Sequence, residues 1–118
     1  VMKAFSAMAA AATEEGTLDA KTKELIALAI SVAIRCDGCV AFHAKAAVKQ
    51  GATRDEVMEA MGMALYMGAG PSLMYAAQAV EAFDQFSGQE KQENATALVG
   101  GQASKSTINW LIRLQLRD

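Results

Sequence analysis

The residues best equipped for chemistry fall in one stretch, Cys36-Asp37-Gly38-Cys39-Val40-Ala41-Phe42-His43, which holds both cysteines and the single histidine of the 118-residue chain. At about 100° per residue on an α-helix, positions 36, 39 and 43 lie within roughly a 60° arc, so their side chains can work as one site. A sulfur at a helix N-terminus meets unpaired N–H groups and the positive end of the helix dipole. Both favour thiolate, lowering a thiol pKa from about 8.5 to between roughly 3.5 and 7.5. Arg35 adds to this effect and Asp37 opposes it. Thiolate is the form that attacks a peroxide oxygen or a disulfide sulfur. His43, one turn after Cys39, can serve as the base, which makes Cys39 the expected nucleophile and Cys36 the resolving thiol. Attack on a hydroperoxide leaves sulfenic acid on Cys39, and Cys36 condenses with it to a disulfide that an external dithiol must reduce.

A histidine base works best when a second group orients it and stabilises its charged form. Glu24 is the expected partner. If the helices before and after Cys36 form an antiparallel hairpin, Glu24 lies twelve residues before the turn and His43 seven after it. The offset is about 7 to 8 Å along the axis, within reach of two long side chains directly or through water.

These residues need helices to position them, and the sequence punctuates itself accordingly. A first helix is expected over 3–15, ended by Gly16 in a left-handed conformation. Asp19 caps a second over 20 to about 35, apolar in its later turns and therefore covered on most sides. Cys36-Asp37-Gly38 reads as a tight break before a third helix, 39–50, which Gly51 stops. Thr53 and Glu56 form a capping box for a fourth, 54–67. Gly68-Ala69-Gly70 interrupts it, and Pro71 opens a fifth that runs to about Phe86. Residues 87–107 read as a polar, disordered linker. Residues 108–116, with Ile108, Trp110, Leu111, Ile112, Leu114 and Leu116, fit a short helix or an extended arm, or a foreign extension. The expectation is an all-α domain of five to six helices over 1–86, with a hairpin carrying the two cysteines, and a separate tail over 87–118.

Composition agrees and removes other classes. The chain is 53% hydrophobic but only 6% aromatic, with one proline, a profile of helices rather than sheet. Net charge is −2 and the eleven Lys and Arg are scattered, so no nucleic-acid surface is expected. The longest apolar run, 25–34, is about half of a membrane span. The alanine-rich start runs into Glu14 and Glu15, which reads as an amphipathic helix rather than a secretory signal. A working dithiol fits a reducing cytoplasm. So much apolar sequence in so small a chain predicts a homo-oligomer. The methionines, Met58, Met61, Met63, Met67 and Met74 among them, read as core or interface packing.

Glu24, eleven residues, Cys36-x-x-Cys39, three residues and His43 resemble the signature of the alkylhydroperoxidase D-like, carboxymuconolactone decarboxylase superfamily. Leu18-Asp19, Arg35-Cys36-Asp37-Gly38-Cys39, Gly51-Ala52-Thr53-Arg54-Asp55-Glu56 and Met67-Gly68-Ala69-Gly70-Pro71 extend the likeness over roughly 5–86. The resemblance implies an all-helical fold in trimers or hexamers. It also implies weak peroxidase activity on hydroperoxides and reduction by lipoyl-type dithiols or thiol proteins; no cofactor or metal is expected. The better-known alkylhydroperoxidase partner protein has a histidine between its cysteines; Gly38 stands there in this chain, so one member of that relay is absent. The decarboxylase branch lacks the cysteine pair, which disfavours the lyase activity.

Other readings of the same residues stand beside this one. A helical assembly module with structural cysteines would leave both thiols inert to iodoacetamide. Zinc on Cys36, Cys39, His43 and Glu24 would draw on a single hairpin, whereas structural zinc sites commonly take two ligands from each of two elements.

Overall fold

The structure is a computed structural model that describes residues 1–99, with side chains through Asn94. It is all-helical over those residues: α1 (Met2–Thr13), α2 (Ala20–Ala33), α3 (Asp37–Lys49) and α4 (Arg54–Val99). The compact unit that carries the cysteines is Val1–Ser87, and Gly88 begins a second unit. The expected amphipathic segment 108–116 lies outside the described residues.

α4 is two helical limbs. Ala69 leaves the helical region at φ 53°, ψ −147°, and Pro71 follows, where a missing N–H at the start of a limb costs nothing. Arg54 Nε donates to both carboxylate oxygens of Asp84 at 3.1 and 3.2 Å, so positions equally far from Ala69 meet and the limbs run antiparallel. The interruption expected at 68–70 is therefore present, but the unusual backbone falls on the alanine between the two glycines. Gly68 serves close packing instead, since a Cβ there would lie 1.9 Å from Ser72 Oγ and 3.8 Å from Ala33 Cα. The bend of α4 thus sits tightly on the end of α2, just before the cysteines.

α2 and α3 form the expected hairpin, and both end in the same way. At the end of α3, Gly51 (φ 77°) donates its N–H to Val48 O, and Ala52 N–H reaches back to Ala47 O. At the end of α2, Arg35 (φ 60°) donates to Val32 O and Cys36 N–H to Ser31 O. These are two Schellman turns, one with glycine in the left-handed position and one with arginine. The break before α3 therefore lies at Ile34–Cys36, not at Cys36-Asp37-Gly38, and Asp37 and Gly38 are already helical. The left-handed region costs an L-residue about 1–2 kcal/mol. Arg35→Gly is expected to raise stability by about 0.5–1 kcal/mol and the thermal midpoint by a few degrees, as circular dichroism melts would show.

Three expectations meet corrections. Gly16 does not end α1 with a left-handed residue: the helix stops at Thr13, whose hydroxyl donates to Ala9 O, and Glu14 is extended. α2 is not covered on most sides, because Ile26, Ile30 and Ile34 form an exposed stripe while Leu28 and Val32 are buried. The stretch read as linker continues α4 as far as Val99. Gln89, Glu90, Lys91, Gln92 and Glu93 are strong helix formers, and low apolar content does not oppose a helix that is already nucleated.

The core of the first unit is small and alanine-rich. Leu28 and Val32 of α2 meet Val40, Ala44, Ala47 and Val48 of α3, with Val57, Met61, Ala64, Ala79 and Phe83 supplied by α4. Of the methionines singled out above, Met61 is buried, whereas Met58, Met63, Met67 and Met74 are exposed. Polar pairs fix the helix starts. Asp19 Oδ1 accepts from Thr22 N–H at 2.7 Å, and Thr53 and Glu56 exchange hydrogen bonds as a capping box. Lys21 Nζ lies 2.8 Å from Glu56 Oε1 and ties α2 to α4.

These pairs set an acid limit. Hydrogen bonds from Thr22 hold the Asp19 carboxyl below its ordinary 3.8, and the Lys21 hydrogen bond holds Glu56 below 4.5. The same contact raises Lys21 above 10.5. Lowered carboxyls contribute stability that is complete above their ordinary values and lost as pH falls through the folded ones; the raised lysine loses its contribution only as pH climbs through its own. Thermal midpoints are therefore expected to fall as pH drops below about 4.5, and Glu56→Gln should flatten part of that fall.

Candidate dithiol site

Cys36 and Cys39 are joined by a disulfide, with Cα atoms 5.2 Å apart, at the junction of α2 and α3. The Schellman turn brings them together. It reverses the chain through Arg35 and leaves Cys36 as the N-cap of α3, two residues before Gly38 and three before Cys39. Cys36 Sγ accepts a hydrogen bond from Cys39 N–H at 3.3 Å, as a serine or aspartate does at this position. Both cysteines are half-buried, so the pair is reachable from solvent.

Glu24 and His43 face each other across the hairpin. Nδ1 of His43 lies 2.7 Å from Glu24 Oε2. Glu24 is buried and its side chain is only 9% exposed, against 22% for His43, so the carboxylate depends on this partner to offset its removal from water. A carboxylate at Nδ1 holds the imidazole by that nitrogen and leaves Nε2 for proton exchange. Phe42 packs edge-on to the imidazole, with centroids 5.1 Å apart, and is itself exposed. Two residues beyond the imidazole, the Lys45 ammonium of α3 stands 5.9 Å from the Phe86 ring centroid.

All four residues singled out in the sequence thus belong to the α2–α3 hairpin, as two contacts: Cys36 with Cys39, and Glu24 with His43. The feature that sequence reasoning misses is the capping role of Cys36. The signal for it is the four-residue interval from Cys36 to Val40, whose N–H donates to Cys36 O as the first helical bond of α3. Glycine is the usual punctuation, and Gly38 draws the expected break toward itself. Among the described residues no cluster of three or more His, Cys, Asp and Glu side chains is arranged for a metal ion, and no helix is long and apolar enough to cross a membrane.

Comparison with known proteins matches the sequence and fold of this chain to relatives. The model of the carboxymuconolactone decarboxylase family covers residues 1–82. A protein of this family from Legionella pneumophila is 60% identical in sequence, with a TM-score of 0.71, covering 73% of this chain and 77% of that one. A Thermotoga maritima member, for which a role in the antioxidative response has been suggested, is 34% identical with a TM-score of 0.71, over 77% of this chain and 94% of its own. An uncharacterised protein of Cupriavidus necator is 45% identical over 83 residues, 70% of this chain and 74% of its own. A chain with this helical fold, this cysteine pair and this span of family match belongs to the carboxymuconolactone decarboxylase family.

Proposed function

We propose that the protein is a homo-oligomeric thiol peroxidase or thiol–disulfide oxidoreductase that reduces alkyl hydroperoxides or a partner disulfide through Cys36 and Cys39. The observation that carries this reading is the bonded, solvent-reachable cysteine pair at a helix start, with a carboxylate-held histidine on the same hairpin. In the reduced protein, His43 takes the Cys39 proton and the thiolate attacks the outer oxygen of a hydroperoxide. The O–O bond breaks and Cys39 becomes sulfenic acid. The alkoxide leaves with a proton from His43. Cys36 then attacks the Cys39 sulfur, water departs and the disulfide forms. The balance is one hydroperoxide and two thiols giving an alcohol, water and one disulfide. An external dithiol of lipoyl type, or a thiol protein, restores the thiols by exchange.

The family name alone would point to lactone decarboxylation, but that chemistry gives the cysteine pair no work. The suggested antioxidative role of the Thermotoga relative supports the redox reading. The test is stopped-flow mixing of the reduced protein with cumene hydroperoxide, with dihydrolipoamide added afterwards. One equivalent of peroxide is expected to disappear per dithiol, with further turnover once the reductant is present. Thiols that persist under excess peroxide would refute the assignment.

A further inference from the structure

Two open surfaces have no part in the dithiol chemistry, and they match each other. Between its limbs, α4 bounds a groove of about 920 Å³ lined by Met58, Leu65, Leu73 and Val80, with Gly62 and Ala76 as small residues that admit a helix backbone. Methionine adapts readily to an inserted partner. The other surface is α1, which has no buried residue: Phe5 and Met8 are 58% and 61% exposed. Phe5, Met8 and Ala12 recur at helical spacing on one face.

A helix of 12 residues is marginal in water by itself, so α1 needs a cover to persist. No charged residue stands between Lys3 and Glu14. The intervening segment therefore enters an apolar groove without stripping a charge of water. The lengths agree too: the limb from Arg54 to Leu65 and α1 each hold 12 residues, about 18 Å at about 1.5 Å per residue. The helix does not fill the groove of its own chain. No α1 residue lines it, and Lys23 Nζ, donating to Glu14 O, ties the end of α1 to α2.

We infer that α1 of one copy of this chain lies in the α4 groove of a second copy, with Phe5 and Met8 pointing inward. The inference rests on the homo-oligomeric part of the proposed function and is independent of its redox part. An inserted helix would be a helix-in-groove contact between identical chains, which closes when each copy both gives and receives.

The experiment places the photo-crosslinking residue p-benzoylphenylalanine at position 5 in ordinary protein. This is refolded together with ¹⁵N-labelled protein, irradiated and mapped by mass spectrometry. Crosslinks from position 5 to peptides of 58–65 or 73–80 carrying the other isotope are expected. Crosslinks confined to one isotope, or reaching a surface outside the groove, overturn the inference. Light scattering supplies a second measure. Met8→Glu on the inserted face and Leu73→Glu in the groove should each weaken association by at least about tenfold, because a buried unpaired carboxylate is strongly disfavoured. Far-ultraviolet circular dichroism checks that each variant folds. Should both variants fold and associate like the parent, the inference fails. Peroxide oxidation of the dithiol is followed on the same samples. Parent protein that is a folded monomer and still consumes one equivalent of peroxide overturns the docking alone, and parent protein that is assembled but has inert thiols overturns the redox reading alone.

Discussion

Cys39→Ser is expected to abolish peroxide consumption, whereas Cys36→Ser should complete one oxidation and stop with sulfenic acid on Cys39. A serine hydroxyl cannot replace thiolate as the attacking atom, so the first variant loses the bond-breaking step entirely. The second keeps that step but has no sulfur to close the disulfide, and the sulfenic acid then waits for a dimedone-type reagent that mass spectrometry can locate. The assignment rests on His43 lying one turn beyond Cys39. A specific observation favours the reverse: the hydrogen bond from Cys39 N–H reaches Cys36 Sγ, which would stabilise thiolate there. Dimedone adducts on Cys36 in the Cys39→Ser protein, with none on Cys39 in the Cys36→Ser protein, would exchange the two roles.

The second large effect concerns the pair across the hairpin. His43→Gln is expected to slow peroxide oxidation of the dithiol at neutral pH by about a hundredfold or more, the scale on which positioned acid–base groups act. Its thiolate should form only at higher pH, so the rate recovers as the solution becomes alkaline. Glu24→Gln preserves shape and hydrogen-bonding capacity but removes the charge that faces Nδ1, 2.7 Å away. It should reproduce part of the same loss. If the two side chains act as a unit, the double variant will be scarcely slower than His43→Gln alone. Purely structural roles would show up differently, with lower melting temperatures and unchanged thiol titrations.

Much of this hairpin can be read from residue order, because its determinants are local. Asp19 caps α2 through Thr22 N–H, Gly51 takes the left-handed place after α3, and Thr53 and Glu56 cap each other as their spacing requires. The meeting of Glu24 and His43 follows from helical rise and a hairpin turn, so it too is within reach of arithmetic. The failures occur where a general residue does a specialised job. Arg35 and Ala69 occupy left-handed or strained backbone that glycine would normally mark; residue order displaces the first turn toward Gly38, and at 68–70 it finds the interruption but not the residue that makes it. The end of α1 is misplaced for the opposite reason, since Gly16 follows a helix that has already stopped. Exposure of Ile26, Ile30 and Ile34 is hidden as well: an apolar stripe looks the same in sequence whether its own chain or another copy covers it.

The capping sulfur has an energetic consequence for the redox couple. In the disulfide, Cys36 Sγ is a weak acceptor for the N–H that begins α3; after reduction and ionisation the same sulfur is a full anion beside that donor. The helix start therefore favours the dithiol state over the oxidised one, and the midpoint potential moves upward, by about 30 mV for each tenfold of preference. A chain built this way is poised to surrender its disulfide readily to an incoming thiol, which suits the proposed cycle, in which the pair is reset after every turn.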